Sequence, residues 1–189
     1  PDAETMADPQ RQRLMDAPAV EQALARMARE VVEQAGGTES LALVGIHRRG
    51  VHLAALLAAA IREERGVAVP TGTLDITLYR DDLMAIGPRP VVGPSSLPEG
   101  GIDERTVVIV DDVLYTGRTV RAALDELADF GRPRRTLLCV LVDRGGRELP
   151  IQPDVVGERV EVPAGGRVEV LVPALDGELG VEVRGAGQG

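Results

Sequence analysis

The stretch from Thr106 to Thr119 limits what this chain can fold into more than any other part of the sequence. Residues 106–110 are almost wholly apolar, as expected of a strand that is buried on both faces. Asp111 and Asp112 follow directly, and the turn at 116–119 then opens a segment with helical spacing of apolar residues. A buried strand that passes through a polar turn into a helix is the repeating unit of α/β domains, so a mainly parallel sheet is predicted.

The rest of the chain repeats this alternation of apolar strands and amphipathic helices. Asp16 and Pro18 are residue types that favour a helix start, and Gly36 ends the apolar pattern that follows them. The predicted strands lie at 41–46, 74–79, 106–110 and 136–142, and the predicted helices at 16–35, 51–65 and 119–130. Three short β-like segments follow at 159–162, 167–172 and 179–184. We therefore expect an α/β fold whose mainly parallel central sheet is flanked by helices, with a small β-rich C-terminal appendage.

The length of 189 residues is sufficient for one domain with its own core. We place that domain at residues 14–184 and expect flexible tails at 1–13 and 185–189. Residues 80–105 hold four prolines and four glycines with little periodicity, which predicts a mobile functional loop. No segment has the length and apolarity of a membrane span, and the N-terminus does not resemble a secretory signal, so we expect a cytoplasmic protein.

The composition excludes several kinds of chemistry. All 21 basic residues are arginines, so mechanisms that need a lysine, such as a Walker A phosphate site or a Schiff base, are excluded. One cysteine and two histidines cannot build an internal disulfide or a cysteine-rich zinc site. With two tyrosines, one phenylalanine and no tryptophan, aromatic base-stacking platforms are nearly excluded. The net charge of −9 disfavours indiscriminate binding to nucleic acids or anionic membranes.

The residues after the central strand suit a ribose 5-phosphate. Ligands of open α/β sheets bind at the carboxyl ends of the strands, which is where Asp111 and Asp112 lie. Carboxylates only accept hydrogen bonds, and they therefore fit ribose hydroxyls, which donate them. The backbone amides at the start of the next helix, together with the hydroxyls of Thr116 and Thr119, can hold a phosphate group.

Residues 107–119 resemble the motif with which type I phosphoribosyltransferases bind 5-phosphoribosyl 1-diphosphate (PRPP). Segments 44–50 (VGIHRRG), 75–83 (DITLYRDDL) and 143–151 (DRGGRELPI) narrow the resemblance to the PyrR family of pyrimidine-operon regulators, and it covers about residues 14–172. The resemblance implies the type I phosphoribosyltransferase fold and a uracil phosphoribosyltransferase activity, which converts uracil and PRPP to UMP and diphosphate. It also implies binding of pyrimidine operon leader mRNA in response to uridine nucleotides, which causes transcription attenuation.

The resemblance also assigns roles to residues of the PRPP site. Asp111 and Asp112 would bind the ribose hydroxyls and Arg80 would stabilise the leaving diphosphate, which makes these three the expected catalytic residues. Residues 48–50 match the pyrophosphate loop, which in such enzymes often contains a non-prolyl cis peptide. The residues expected to bind PRPP are Arg48, Arg49, Gly50, Arg89, Asp111, Asp112, Val113, Leu114, Tyr115, Thr116, Gly117, Arg118 and Thr119.

The same resemblance places the other ligands and partners. Mg²⁺ would be bound mainly by PRPP, with Asp111 and Asp112 as the candidate protein ligands and no dedicated metal site. UMP and UTP would be the effectors, and the chain would form a homo-oligomer, a dimer or larger. The residues expected to bind uracil are Asp143, Arg144, Val156 and Gly157. The residues expected to bind RNA are Arg26, Arg29, Arg144 and Arg147.

Two alternative functions stay open at this point. One is a phosphoribosyltransferase without an RNA-binding role, because the family commonly has histidine where this chain has Arg29 and Gly146, and a lysine near Glu158. The other is a phosphoribosyltransferase for a purine or for orotate, against which the match at 143–151 argues.

Overall fold

The computed structural model describes residues 10–76 and 95–185, which form eight strands and four helices. In chain order these elements are β1 (Arg11–Met15), α1 (Ala17–Ala35), β2 (Leu41–Ile46), α2 (Arg49–Arg65), β3 (Thr71–Leu74), β4 (Thr106–Leu114), α3 (Arg118–Phe130), β5 (Arg135–Asp143), β6 (Val155–Arg159), β7 (Arg167–Leu171), α4 (Pro173–Asp176) and β8 (Gly180–Arg184). Within these ranges no helix is long and apolar enough to cross a bilayer.

Five of the strands form the predicted parallel sheet, in the order β3-β2-β4-β5-β6. Helices α1 and α2 pack against one face of this sheet and α3 packs against the other. Both faces of β2, β4 and β5 are therefore buried, which explains why these strands read as continuous apolar runs. Cys139 of β5 lies inside this core, and burial raises the pKa of its thiol to about 12.

A second sheet is antiparallel and has the order β1-β8-β7. It includes residues 11–13, which the sequence pattern places in a flexible tail, because β1 pairs along its length with β8 near the other end of the chain. The predicted C-terminal strand at 159–162 is also misplaced. The strand of that region is β6, and it is the fifth strand of the central sheet, paired with β5. The β-rich appendage is therefore built from both ends of the chain.

The predicted mobile loop at 80–105 is only partly described. Residues 77–94, which include Arg80 and Arg89, lie outside the described residues. The prediction is wrong for residues 95–105, because Ser96 forms two backbone hydrogen bonds with Thr73, of 2.7 and 3.0 Å, and Ile102 is buried in the core. The chain is thus anchored beside β3 and again beneath α3 before β4 begins.

The ends of the helices follow the expected residue types with small shifts. The Asp16 carboxylate accepts a hydrogen bond of 2.9 Å from the amide of Ala19, and Gly36 ends α1 in a left-handed conformation. Helix α2 begins at Arg49, two residues earlier than predicted, and α3 begins at Arg118. The first turns of both helices consequently lie next to the carboxyl ends of β2 and β4.

Candidate functional site

Asp111 and Asp112, the acid pair, lie within β4 and not after it, because this strand extends four residues beyond the predicted end at 110. Strand β2 pairs with β4 only as far as Gly45 and Val110, whereas β5 stays paired until Leu114. Asp111 and Asp112 therefore belong to a strand segment that has lost its β2 neighbour. Asp111 is buried and Asp112 is half-buried, so only the second carboxylate is substantially exposed.

Backbone amides orient both carboxylates. Asp111 Oδ1 accepts a hydrogen bond of 2.9 Å from the amide of Asp112, and Asp112 Oδ1 accepts one of 2.9 Å from the amide of Val113. These bonds fix one oxygen of each group relative to the strand. Val113 is half-buried and Leu114 is buried, so the side chains of the next two residues serve mainly in packing.

The turn at 116–119 leads from β4 into α3 as the sequence predicts. Gly117 is the residue before the helix and has a φ of 93°, a left-handed conformation that glycine adopts without strain. The hydroxyl oxygen of Thr116 accepts a hydrogen bond of 3.3 Å from the amide of Arg118. The backbone amides in the first turn of this 13-residue helix, next to the hydroxyl of Thr119, form a site suited to a phosphate group.

The loop after β2 comes directly against the acid pair. Its peptide bond between His47 and Arg48 is cis, as the resemblance implied. Gly50, in the first turn of α2, is buried against β4, where a Cβ atom would lie 2.5 Å from the carbonyl oxygen of Val110 and 3.4 Å from Asp111 Oδ1. The structure thus brings residues 48–50 and the acid pair together, and Gly50 allows that approach by having no side chain.

The two arginines of this loop differ in their contacts. Arg48 is exposed, and its guanidinium makes no hydrogen bond or ion pair with the part of the chain that the structure describes. Arg49 donates from Nε to the carbonyl oxygen of Val170 at 2.9 Å and from Nη2 to Asp176 Oδ1 at 2.9 Å. Burial opposes ionisation of Asp176, but the amide of Val172 and Arg49 outweigh it and lower the pKa of this carboxyl. Arg49 therefore links the loop to the antiparallel sheet.

A cleft of about 400 Å³ opens between the two sheets at this edge. Its lining joins Asp112 and Arg49 to Arg11 and Arg184, which lie on β1 and β8. We did not single out Arg11 or Arg184 from the sequence. Both lie on strands whose pairing joins the two ends of the chain, and no local pattern indicates that pairing.

At the carboxyl end of β5, Asp143 is held by several donors. Its Oδ2 accepts from Arg147 at 2.8 Å and from Arg159 at 2.9 Å, and its Oδ1 accepts from the amide of Gly145 at 3.0 Å. Burial opposes ionisation, yet these donors outweigh it and lower the pKa of Asp143. Asp143 is paired across the sheet with Leu114, so it lies beside the start of the phosphate turn. The sequence indicates Asp143 as a uracil-binding residue, but no pattern in it indicates Arg159.

Arg144 lies over an aromatic ring and does not project freely. Its guanidinium carbon is 3.9 Å from the centre of the Tyr115 ring, and Nη1 donates to the carbonyl oxygen of Gly166 at 3.3 Å. The ring of Tyr115 is nonetheless half exposed. A Cβ atom at Gly146 would lie 2.4 Å from that ring, so the stacked arrangement requires glycine at this position.

The other residues expected to bind uracil do not join this cluster. The carbonyl oxygens of Val156 and Gly157 accept hydrogen bonds from Arg26 at 3.2 and 2.6 Å. A Cβ atom at Gly157 would meet the sulfur of Met27, which places this part of β6 against α1. Arg26 also forms an ion pair of 2.8 Å with Glu30.

Of the four arginines expected to bind RNA, three are engaged within the chain. Arg26, Arg144 and Arg147 each donate to carbonyl oxygens, and Arg26 and Arg147 also bind carboxylates. Arg29 is exposed, and its guanidinium binds none of the residues in the described ranges. The four residues therefore do not form one exposed basic patch.

The donors near the cleft fit Mg²⁺ only in part. Within the described ranges, no group of three or more His, Cys, Asp or Glu side chains is placed to hold a metal ion. The carboxylates of Asp111 and Asp112 are hard oxygen donors of the kind that Mg²⁺ prefers, and Asp112 lines the cleft. Two such groups suit an ion that takes its other ligands from a substrate and from water.

Comparisons with known proteins agree with this geometry. The sequence profile of the phosphoribosyl transferase domain matches residues 10–168. The chain is 56% identical over 170 residues to the "Bifunctional protein PyrR" of Thermus aquaticus, and the match covers 90% of this chain and 93% of that one. The chain belongs to the PyrR family. Another PyrR protein, from Herpetosiphon aurantiacus, is 55% identical over 163 residues, covering 86% of this chain and 90% of the other.

Solved structures show that this PyrR-family chain has the type I phosphoribosyltransferase fold. A hypoxanthine phosphoribosyltransferase from Trypanosoma cruzi, solved as a mutant in a ternary substrate complex, superposes with a TM-score of 0.70. The superposition covers 91% of this chain and 94% of the other at 20% identity. A hypoxanthine phosphoribosyltransferase from Staphylococcus aureus gives a TM-score of 0.67 at 16% identity, over 94% and 93% of the two chains. The predicted fold class is confirmed.

Proposed function

We propose that this chain is a uracil phosphoribosyltransferase that forms UMP and diphosphate from uracil and PRPP. One observation carries the proposal: the acid pair of β4, the phosphate turn at 116–119 and the loop at 48–50 meet at one edge of the parallel sheet. Transfer of a phosphoribosyl group needs these three kinds of contact, to the ribose, to the 5-phosphate and to the leaving diphosphate. It needs no protein nucleophile, because uracil itself attacks the ribose.

Some of the described residues would position the substrates, and others would stabilise the charges that develop during the reaction. Asp112, and the buried Asp111 behind it, would accept hydrogen bonds from the ribose hydroxyls and favour positive charge on C1 as the bond to diphosphate breaks. The amides at the start of α3 would hold the 5-phosphate and fix the distance between C1 and the attacking nitrogen. Arg48 and the amides of its loop would face the diphosphate, with Arg80 and Arg89 as further proposed contacts. Mg²⁺ bound to the diphosphate oxygens would neutralise part of the charge on this leaving group.

The base would lie at the carboxyl end of β5, next to Asp143, Arg144 and Arg159. The pairing of Asp143 with Leu114 supports this placement, because it brings the carboxyl end of β5 beside the phosphate turn at 116–119. We call this part of the site the base end. Arg159 gives one guanidinium nitrogen to Asp143 while most of its side chain is exposed, so donors stay available for a carbonyl oxygen of uracil. The carbonyl oxygens of Val156 and Gly157, which already bind Arg26, are left out of the proposed base site.

A second activity is proposed on a different ground. The relatives that match nine-tenths of this chain are named bifunctional, and the sequence resemblance attaches regulation of pyrimidine operons to that name. We propose that the chain binds pyrimidine operon leader mRNA in the cytoplasm, as a homo-oligomer, and that UMP or UTP controls the binding. Arg29 on α1 is the proposed phosphate contact, since it is exposed and binds none of the described residues.

Two measurements test the two activities separately. The nucleoside monophosphate formed from PRPP should be followed in the presence of Mg²⁺ and one of four bases: uracil, hypoxanthine, guanine or orotate. Activity with uracil alone is expected, and a preference for another base would replace the proposed substrate. A gel shift with leader RNA, with and without UMP, tests the regulator. Affinity no better than for a scrambled hairpin in both conditions would leave only the enzyme.

A further inference from the structure

We propose that Arg147 is a positioning residue that couples the base end of the site to the phosphate turn. The proposal rests on the proposed phosphoribosyl transfer and goes beyond it in one respect. A single guanidinium sets the relative position of two parts of the site that touch different substrates. Arg147 belongs to the segment 143–151 and was expected to bind RNA, so the role inferred here is a different one.

Every nitrogen of the Arg147 guanidinium has a partner within the chain. Nη2 donates to Asp143 Oδ2 at 2.8 Å, Nη1 donates to the carbonyl oxygen of Tyr115 at 2.9 Å, and Nε donates to the carbonyl oxygen of Ile151 at 2.8 Å. The side chain is only 17% exposed. The three bonds use three of its five N–H donors, and the low exposure limits access of an RNA phosphate to the other two, so RNA contact is not its main role.

The three partners belong to three different parts of the site. Asp143 ends β5 at the proposed base site, and Tyr115 is the residue immediately before the phosphate turn. Ile151 lies at the end of the segment and, with Leu149, would be 3.4 Å from a Cβ atom at Gly117. Arg147 therefore fixes three parts of the site relative to one another: the beginning of the phosphate turn, the carboxylate at the base end, and the side chains that pack beside Gly117.

The backbone of the same segment supports the phosphate turn at further points. The amide of Arg144 donates to the carbonyl oxygen of Leu114 at 3.1 Å. The amides of Glu148 and Leu149 donate to the carbonyl oxygen of Thr116 at 2.9 and 3.1 Å. These bonds make the segment and the turn one connected unit, and Arg147 is the side chain that extends the connection to the carboxylate at the base end.

Only arginine can make this set of contacts. Its planar guanidinium directs three nitrogens at fixed angles to three acceptors, whereas a lysine ammonium at the end of a flexible stem reaches one or two of them. Replacing Arg147 by Lys keeps the charge beside Asp143 but releases the carbonyl oxygens of Tyr115 and Ile151. Replacing it by Gln removes the charge as well. The two variants therefore separate the geometric role from the electrostatic one.

Substitution of Arg147 should weaken the use of both substrates. In R147Q, we expect KM for uracil and KM for PRPP each to rise about 10-fold and kcat/KM for PRPP to fall about 10- to 100-fold. R147K should restore KM for uracil more than KM for PRPP, because it keeps the charge near Asp143 and loses the bond to Tyr115. The control is R134Q, because Arg134 is exposed near the amino end of β5, away from the site, and its kinetics should match the unsubstituted protein.

A double-mutant cycle and a binding measurement complete the test. If Arg147 acts on the base end through Asp143, R147Q should change KM for uracil little further in a D143N background, yet still raise KM for PRPP. Calorimetric titration with ribose 5-phosphate should show about 10-fold weaker binding to R147Q than to R134Q. This binding measurement does not require activity, so it tests the positioning role even if the chain makes no UMP, a result that would reject only the proposed function.

Three outcomes would overturn the proposal. R147Q and R134Q could have the same KM values and the same affinity for ribose 5-phosphate. R147Q could leave the kinetics unchanged while lowering the salt dependence of RNA binding by about one unit, which would make Arg147 a phosphate contact. Alternatively, R147Q and R147K could both lose the native melting transition, which would make the side chain a requirement of folding.

Discussion

Gly50 and Val110 approach so closely that a Cβ atom on the glycine would lie 2.5 Å from the carbonyl oxygen of the valine. A Cβ atom on Gly45 would in turn lie 2.5 Å from the carbonyl oxygen of Gly50. The end of β2, the first turn of α2 and the end of β4 are therefore packed backbone against backbone. This contact sets how far the loop at 47–49 lies from the acid pair.

Gly50→Ala should destabilise the protein and impair PRPP use together. The clash is with backbone, which cannot move aside as a side chain can, so we expect a loss of about 1–3 kcal/mol in the free energy of unfolding. The displaced loop should also raise KM for PRPP. Thermal melting and steady-state kinetics measure the two effects. Ala59→Gly, at an exposed position of the same helix, should cost about 1 kcal/mol and leave the kinetics unchanged, and equal kinetics in both variants would refute the proposed role of the contact.

Asp112→Asn should weaken the use of PRPP with little change in stability. Asp112 lines the cleft and is half-buried, and a charge-assisted hydrogen bond to ribose is worth about 1.5–3 kcal/mol. That corresponds to a fall of roughly 10- to 100-fold in kcat/KM for PRPP. Asp125→Asn, an exposed position on α3, is the matched control. Unchanged kinetics in Asp112→Asn would remove this residue from the PRPP site.

Glu126→Gln should stabilise the protein at neutral pH. Burial raises the pKa of Glu126, the hydroxyl of Ser95 opposes this rise, and the charges of Asp75 and Asp129 add to it. Within the described residues its Oε2 has no hydrogen-bond partner. A raised folded-state pKa means that the side chain favours folding most below its ordinary pKa of 4.5, and that this contribution is lost as pH rises through the folded-state value. The amide cannot ionise, so the gain should be on the order of 1 kcal/mol at pH 7 and should vanish in acid.

Denaturant melts of Glu126→Gln and the unsubstituted protein, compared across pH, measure that gain as a difference. Both proteins should lose stability in acid through Asp143 and Asp176, because a carboxyl group with a lowered pKa stops stabilising the fold as pH falls through that value. Taking the difference between the two proteins removes this shared loss. Glu63→Gln, at an exposed position on α2, is the matched control. A destabilised Glu126→Gln at pH 7 would mean that the ionised carboxylate is needed.

Arg29→Ala should change the salt dependence of RNA binding, whereas Arg26→Ala should change the stability of the protein. Arg29 is exposed, so its removal should leave the melting temperature unchanged and lower the slope of log affinity for leader RNA against log salt by about one unit. Arg26 holds two carbonyl oxygens of β6, so its removal should cost about 1–3 kcal/mol in stability. An unchanged salt slope in Arg29→Ala would show that Arg29 does not contact an RNA phosphate.

The acid pair and the phosphate turn could be predicted from the sequence because the strand, the acids and the turn are adjacent in the chain. The antiparallel sheet could not be predicted, since β1 pairs with β8 and the partners Arg11 and Arg184 are separated by almost the whole chain. The packed residues 95–105 were also missed. Their prolines and glycines are typical of a mobile loop, whereas contacts with residues distant in the chain, such as those of Ser96 and Ile102, hold them in place.

The sequence by itself therefore determined the α/β class, the order of strands and helices around the acid pair, and the chemistry of the turn, because periodicity and adjacency act over a few residues. The tertiary structure alone decided which partner each arginine binds. The chain has 21 arginines and 30 acidic residues, and nothing local distinguishes an arginine that binds a carbonyl oxygen, as Arg26 does, from one that faces solvent, as Arg29 does. That choice depends on which distant groups the packed sheets bring within about 3 Å of a guanidinium, and this distance is fixed only when the whole chain is folded.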